Sequence, residues 1–124
     1  MPSEIAFRPA TRADALAYYG RESEATFRGY VAEQDGKVIG IGGVYYDLGF
    51  PVVFTEMKPE MRGAKKAIAR ATRLMIDYID SLQYPTVYAV ADTEYPTAPY
   101  LLAKLGFAPT GRMTERGELL ARRK

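Results

Sequence analysis

The chain has 124 residues, a net charge of +2, 48% hydrophobic and 26% charged side chains, the balance of one globular domain spanning 1–124. It contains no Cys, His or Trp. That excludes disulfides, thiolate or imidazole metal sites, and any catalysis by a thiol nucleophile or a histidine base.

Acid–base chemistry is left to carboxylates, Lys, Tyr, a terminus or water. No metal is expected. No apolar run reaches the roughly 20 residues of a membrane span, so no membrane partner is expected. The start, Met1-Pro2-Ser3-Glu4-Ile5, lacks the basic-then-apolar plan of an export signal, and the expected compartment is the cytoplasm.

Residues 4–9 alternate loosely and read as a first strand. Thr11 then caps a helix, with Asp14 placed for a capping box, and the helix stops near Gly20. Two strand patterns, 29–34 and 37–46, flank Asp35-Gly36, a strong hairpin signal. Gly40-Ile41-Gly42-Gly43 is followed by Tyr45 and Tyr46 rather than a helix start, so a kink, bulge or close backbone approach is expected there. Leu48-Gly49-Phe50-Pro51 makes a turn, and residues 52–57 form a fourth strand closed by Pro59.

The best helix covers 64–82, where Ile68, Ala71, Met75, Tyr78, Ile79 and Leu82 recur at helical spacing. Residues 86–91 read as a strand, and 97–105 as a short helix stopped by Gly106. Phe107 opens a last strand pair, with 117–121 as its second member. The order predicts a mixed sheet with a right-handed parallel crossover from 52–57 to 86–91.

The junction 55–68 carries the chemical signal. The first amides of a helix have no internal acceptor and favour an anion. Acidic residues usually stand there, yet Arg62, Lys65 and Lys66 do so here. Two readings are open. An anion sits before the helix, or the helix starts at Pro59 with Glu60 in its first turn and the basic residues are a solvated face.

The chain resembles the GCN5-related N-acetyltransferases, the GNAT family, over nearly its whole element order. The family signature is V-x-P followed by Q/R-x-x-G-x-G/A. Met57-Lys58-Pro59 stands for the first part, and Arg62-Gly63-Ala64-Lys65-Lys66-Ala67 matches the second at Arg62 and Ala67, with Lys65 replacing the central Gly. The family's late motif, N-x-x-A-x-x-L-Y-x-x-x-G-F, is matched at Ala98, Leu101, Gly106 and Phe107, with Tyr95 in place of Asn and Leu102 in place of Tyr.

The resemblance implies an α+β fold: a mixed, mostly antiparallel twisted sheet of about six or seven strands with helices on both faces. It implies acetyl-CoA as co-substrate, with a small-molecule or protein amine as acceptor. Thr55, Glu56 and Met57 would pair with the pantetheine arm. The amides of Arg62, Gly63, Ala64, Lys65, Lys66 and Ala67 would hold the pyrophosphate. Leu102 removes the tyrosine with which many members protonate the departing thiolate. Only about 20 residues separate the first two strands, enough for one helix and a loop rather than two helices lining the acceptor. Val90 stands where some relatives place a carboxylate. The candidate bases are Glu56, Asp92 and Glu94, and Tyr100 is a candidate acid, each weighed against a packing or surface role.

The reading is therefore an acetyl-CoA-dependent N-acetyltransferase acting directly on a primary amine. The alternative is a non-catalytic GNAT-fold structural or regulatory protein, such as a phage-encoded one. The stripe Arg62, Lys65, Lys66, Arg70 and Arg73 is not expected to bind nucleic acid, because net charge is low and Glu56, Glu60, Asp77 and Asp80 flank it. A homodimer is compatible with all of this.

Overall fold

The computed structural model describes residues 4–20 and 26–124. In chain order these form β1 (Ala6–Pro9), α1 (Arg12–Tyr19), β2 (Phe27–Gln34), β3 (Lys37–Asp47), β4 (Phe50–Met57), α2 (Pro59–Arg62), α3 (Lys65–Ser81), β5 (Thr86–Asp92), α4 (Ala98–Lys104), β6 (Ala108–Met113) and β7 (Gly117–Arg123). The loop expected after α1 falls on residues 21–25 and lies outside the described residues, as does the start of the chain at 1–3. Among the described residues no helix is long and apolar enough to cross a membrane.

The seven strands form one sheet in the order β1-β2-β3-β4-β5-β7-β6. Every neighbouring pair is antiparallel except β4 and β5, which run parallel through the α3 crossover. The mixed, mostly antiparallel α+β sheet expected from the sequence is the one observed.

Local chemistry explains the elements. The Thr11 hydroxyl accepts the Asp14 amide while the Asp14 carboxylate accepts the Thr11 amide, a complete capping box. Gly20 ends that helix at φ 73°, in the left-handed region. Asp35 and Gly36 turn the first hairpin with φ 53° and 77°. Both values are positive, as a two-residue hairpin of the primed type requires.

α2, α3 and α4 lie on one face and α1 on the other. Met75 and Ile79 of α3 pack with Leu102 and Leu105 of α4 against Val53, Val87 and Ala89. Further along, Met57, Met61, Ile68 and Leu101 continue the same layer. Ala15 of α1 packs with Val31, Val38 and Ile41 on the opposite face, joined by Tyr18 and Phe54.

Strand bounds differ from expectation at the ends. β1 starts at Ala6 rather than residue 4, β2 at Phe27 rather than 29, and β4 at Phe50 rather than 52. Cross-strand pairing decides these limits. Phe27 is opposite Tyr45, and Phe50 is opposite Asp47, so hairpin partners extend strands beyond their local patterns.

Candidate functional site

β4 and β5 are joined by only two residue pairs, Val52 with Tyr88 and Val53 with Ala89. Beyond them β4 continues to Met57 beside β3, and β5 continues to Asp92 beside β7. The strands therefore splay over Phe54–Met57 and Val90–Asp92. Their facing edges carry backbone donors and acceptors with no strand between them. Such an edge can pair with an extended ligand.

The sequence left two starts open for the helix after β4, and the structure contains a part of each. Pro59 opens the one-turn helix α2, with Glu60 in its first turn. The chain then breaks at Gly63 and Ala64, and α3 begins anew at Lys65. No side chain caps α3, and no acidic residue stands in its first turn. The earliest α-type bond into its ladder is Ile68 N–H to Ala64 C=O at 2.9 Å. Amides at the start of such a helix lack intrahelical acceptors, and exposed Lys65 and Lys66 add positive charge to them. Arg62 stands just before the break, also exposed. Glu60 is not part of this cationic turn. It accepts Lys37 Nζ at 2.8 Å, which tethers α2 to β3.

Strand alternation sends the side chains of β4 to opposite faces. Thr55 and Met57 face α3, while Phe54 and Glu56 face α1. Glu56 is only 8% exposed. Its Oε1 accepts the Met57 amide at 2.9 Å, and its Oε2 is buried with no partner. Burial raises the carboxyl above the usual carboxylate range, opposed by the Met57 amide and the Arg62 charge. A buried carboxylate with one unpaired oxygen is a poised proton acceptor.

One aromatic residue lies near this carboxylate and continues into a chain of tyrosines. Half-buried Tyr18, in the last turn of α1, feels the Glu56 charge, and burial pushes its phenol far up, so it stays protonated. Lys58 Nζ lies 5.1 Å from the Tyr18 ring centre. Tyr19 touches Tyr18 at 4.8 Å and Tyr95 at 5.5 Å between ring centres, both edge to face. The sequence reading missed Tyr18. Its only signal was a tyrosine pair at the end of a helix facing a short connection.

The other sequence candidates lie apart. Tyr100 is 55% exposed on α4, with Lys104 Nζ 5.0 Å from its ring. Asp92, at the end of β5, accepts the Glu94 amide at 2.9 Å, which fixes the turn before α4. Leu102 is 1% exposed and packs in the α3 layer.

Beneath α3 lies a cavity of about 50 Å³, lined by Gly40, Gly42, Thr55, Met57, Met75 and Leu101 among others. Gly40 and Gly42 are two of the three glycines of the run in β3. A Cβ on Gly42 would meet Met75 Sδ at 3.3 Å and Thr55 Oγ1 at 3.4 Å. The close backbone approach expected of the run occurs at Gly43, where a Cβ would stand 2.4 Å from Arg28 O.

No family profile matches the sequence, and a search of curated proteins finds no relative. Solved structures do match over nearly the whole chain. An N-acetyltransferase from Staphylococcus aureus Mu50 superposes with a TM-score of 0.70 at 15% identity, covering 98% of this chain and 99% of that one. An acetyltransferase of the GNAT family from Streptococcus pneumoniae gives 0.64 at 16% identity, covering 98% and 100%. The dodecameric spermidine N-acetyltransferase from Vibrio cholerae gives 0.63 at 17% identity, covering 96% and 93%. The splayed β4 and β5, the helix start that follows them and the surrounding sheet are thus arranged in the fold of the GNAT-family N-acetyltransferases.

Proposed function

We propose that this protein is an acetyl-CoA-dependent N-acetyltransferase that passes the acetyl group directly to a primary amine. The observation that carries the reading is that β4 leaves its end open towards β5, bears the buried Glu56 carboxylate there, and is followed by the uncapped cationic start of α3. The β4 edge at Thr55, Glu56 and Met57 would hydrogen-bond the pantetheine amides. The turn from Arg62 to Ala67 would hold the pyrophosphate on the amides of Lys66 and Ala67 and on the cationic side chains of Arg62, Lys65 and Lys66, since the amides of Gly63, Ala64 and Lys65 already donate to Met61 O and Gly63 O.

Glu56 would take the proton from the acceptor ammonium. The freed amine attacks the thioester carbonyl, a C–N bond forms, the C–S bond breaks, the CoA sulfur leaves as thiolate, and the second proton of the attacking nitrogen passes to that thiolate or to water. Tyr18, Tyr19 and Tyr95 would hold the acceptor cation beside Glu56 through their ring faces. No hydroxyl stands at Leu102 to protonate the sulfur. Thiolate is a tolerable leaving group, since a free thiol has a pKa of about 8.5, so transfer proceeds without a dedicated acid.

Titration calorimetry with CoA and acetyl-CoA tests the reading. Both should bind. Arg62→Glu should weaken binding roughly 10- to 100-fold through loss of a charge-assisted contact. Absence of any binding heat with millimolar CoA would overturn it.

A further inference from the structure

The cavity beneath α3 has no task in acetyl transfer as described. It is lined mainly by apolar side chains and by two glycines that contribute none. A polar cavity of its size would hold water, since about 10–15 Å³ suffices for one molecule. Its polar lining residues are Tyr30, Thr55, Glu56 and Thr72, and the Glu56 carboxylate turns to the α1 face of the sheet. Of the two threonines in its lining, Thr72 already donates its hydroxyl to Ile68 O at 2.8 Å. Apolar cavities with so little to bond stay dry and accept apolar ligands.

Its position gives it an occupant. Thr55, Glu56 and Met57, the end of β4 that pairs with β3 but not with β5, form one wall, and Leu101 and Leu105 of α4 form another. The cavity therefore reaches the β4 side of the splay where the thioester would lie. Gly40 and Gly42 set its depth, because a Cβ at Gly40 would press on Met61 Sδ at 2.8 Å and one at Gly42 would contact Met75. Larger residues in β3 would close the space.

We propose that this cavity receives the acyl chain of the donor, so that the site prefers a short straight-chain acyl-CoA longer than acetyl. The inference rests on the CoA-dependent reading above and specifies the donor. Each methylene placed in the cavity leaves water for an apolar wall, and two additional methylenes correspond to roughly a 15-fold gain in affinity.

The test is calorimetry of the whole chain with CoA, acetyl-CoA, propionyl-CoA and butyryl-CoA. Wild type should bind butyryl-CoA about tenfold more tightly than acetyl-CoA. Gly42→Ala adds one methyl to the floor, 3.3 Å from Met75 Sδ, so the flexible Met75 side chain must give way by a few tenths of an ångström, and it should erase that preference while leaving CoA affinity unchanged. Ala71→Leu, filling the cavity from the α3 side, should do the same if Gly42→Ala folds poorly. If CoA binds but chain length makes no difference in wild type, the acyl pocket is wrong and the CoA reading stands. A preference that survives in folded variants of both kinds also overturns the pocket. If neither CoA nor any thioester binds, the donor reading itself fails and the pocket falls with it.

Discussion

The Lys58 ammonium stands 5.1 Å from the centre of the Tyr18 ring, bridging the end of β4 and the last turn of α1. A ring face attracts a cation by about 0.5–1 kcal/mol at a partly exposed site. The same phenol feels the opposite charges of Glu56 and Arg62. Tyr18 thus sits among two cations and one anion, on the side of the sheet where Glu56 keeps an unpaired oxygen. Tyr18→Leu should raise KM for a cationic amine severalfold, and Tyr18→Phe, which keeps the ring, should nearly preserve it. Steady-state kinetics on a panel of amines reads this out, and equal KM values would remove Tyr18 from the acceptor site.

Glu56 carries a pH signature. Its carboxyl lies above the ordinary range in the folded protein, so the folded state binds its proton more tightly than the unfolded state. Its contribution to stability is complete below the unfolded carboxylate range and is lost as pH rises through the folded value. Glu56→Gln should therefore raise the melting temperature at pH 7 to 8 and lower transfer by about 10²- to 10⁴-fold. Melting curves from pH 4 to 8 and initial rates check the two halves separately.

Asp14 behaves in the opposite sense. Its hydrogen bonds to Arg8, the largest effect, and to Thr11 hold its carboxyl at about 2, although burial opposes them. The stabilisation is present above the unfolded pKa and is lost as pH falls from about 4 towards 2. The Arg8 side chain is 40% exposed, so solvent screening reduces the contribution to on the order of 1 kcal/mol. Acid denaturation of Asp14→Asn against wild type should show a smaller loss over that interval.

Lys65 and Lys66 should give opposite effects on stability and binding. Each opposes the dipole of α3, so Lys65→Glu should stabilise the free protein by about 0.3–1 kcal/mol. The same change should weaken CoA binding. Urea titration and calorimetry on one sample suffice, and parallel movement of both quantities would contradict the anion role.

Leu102 is a core residue at the position where the family places a tyrosine. Truncation to Ala should destabilise the fold by about 2–5 kcal/mol. Leu102→Tyr, which would restore the missing hydroxyl, must fit a larger ring against Met75 and Leu105 and should lose about 1–3 kcal/mol. Guanidinium unfolding of the two variants would show both losses.

Elements governed by near neighbours were legible in the sequence. The Thr11–Asp14 box, the Asp35-Gly36 turn and the apolar stripe of α3 each depend on residues a few positions apart. The crossover from β4 to β5 followed from chain handedness. The separation of α2 from α3 was not legible, because Pro59 and Lys65 both offer acceptable helix starts. The break depends on how Met61 is buried against β3 and β4. The Tyr18–Glu56 grouping and the space over Gly40 and Gly42 were hidden for a related reason. The first arises where α1 packs on one face of β4 and the second where α3 packs on the other face of β3 and β4, and no short sequence window contains either.

The two-pair joint between β4 and β5 also has a mechanical meaning. A seven-stranded sheet with so narrow a seam behaves as two plates, β1 to β4 and β5-β7-β6. Few backbone bonds resist their separation. The plates are clamped by side chains, since Met75, Ile79, Leu102 and Leu105 grip Val53 on one and Ala89 on the other. Continuity across the middle of the molecule is therefore supplied by hydrophobic packing, which weakens on cooling, more than by the ladder. The seam is the line along which cold or mild denaturant should first part the protein, with each plate keeping its own hydrogen-bonded strands.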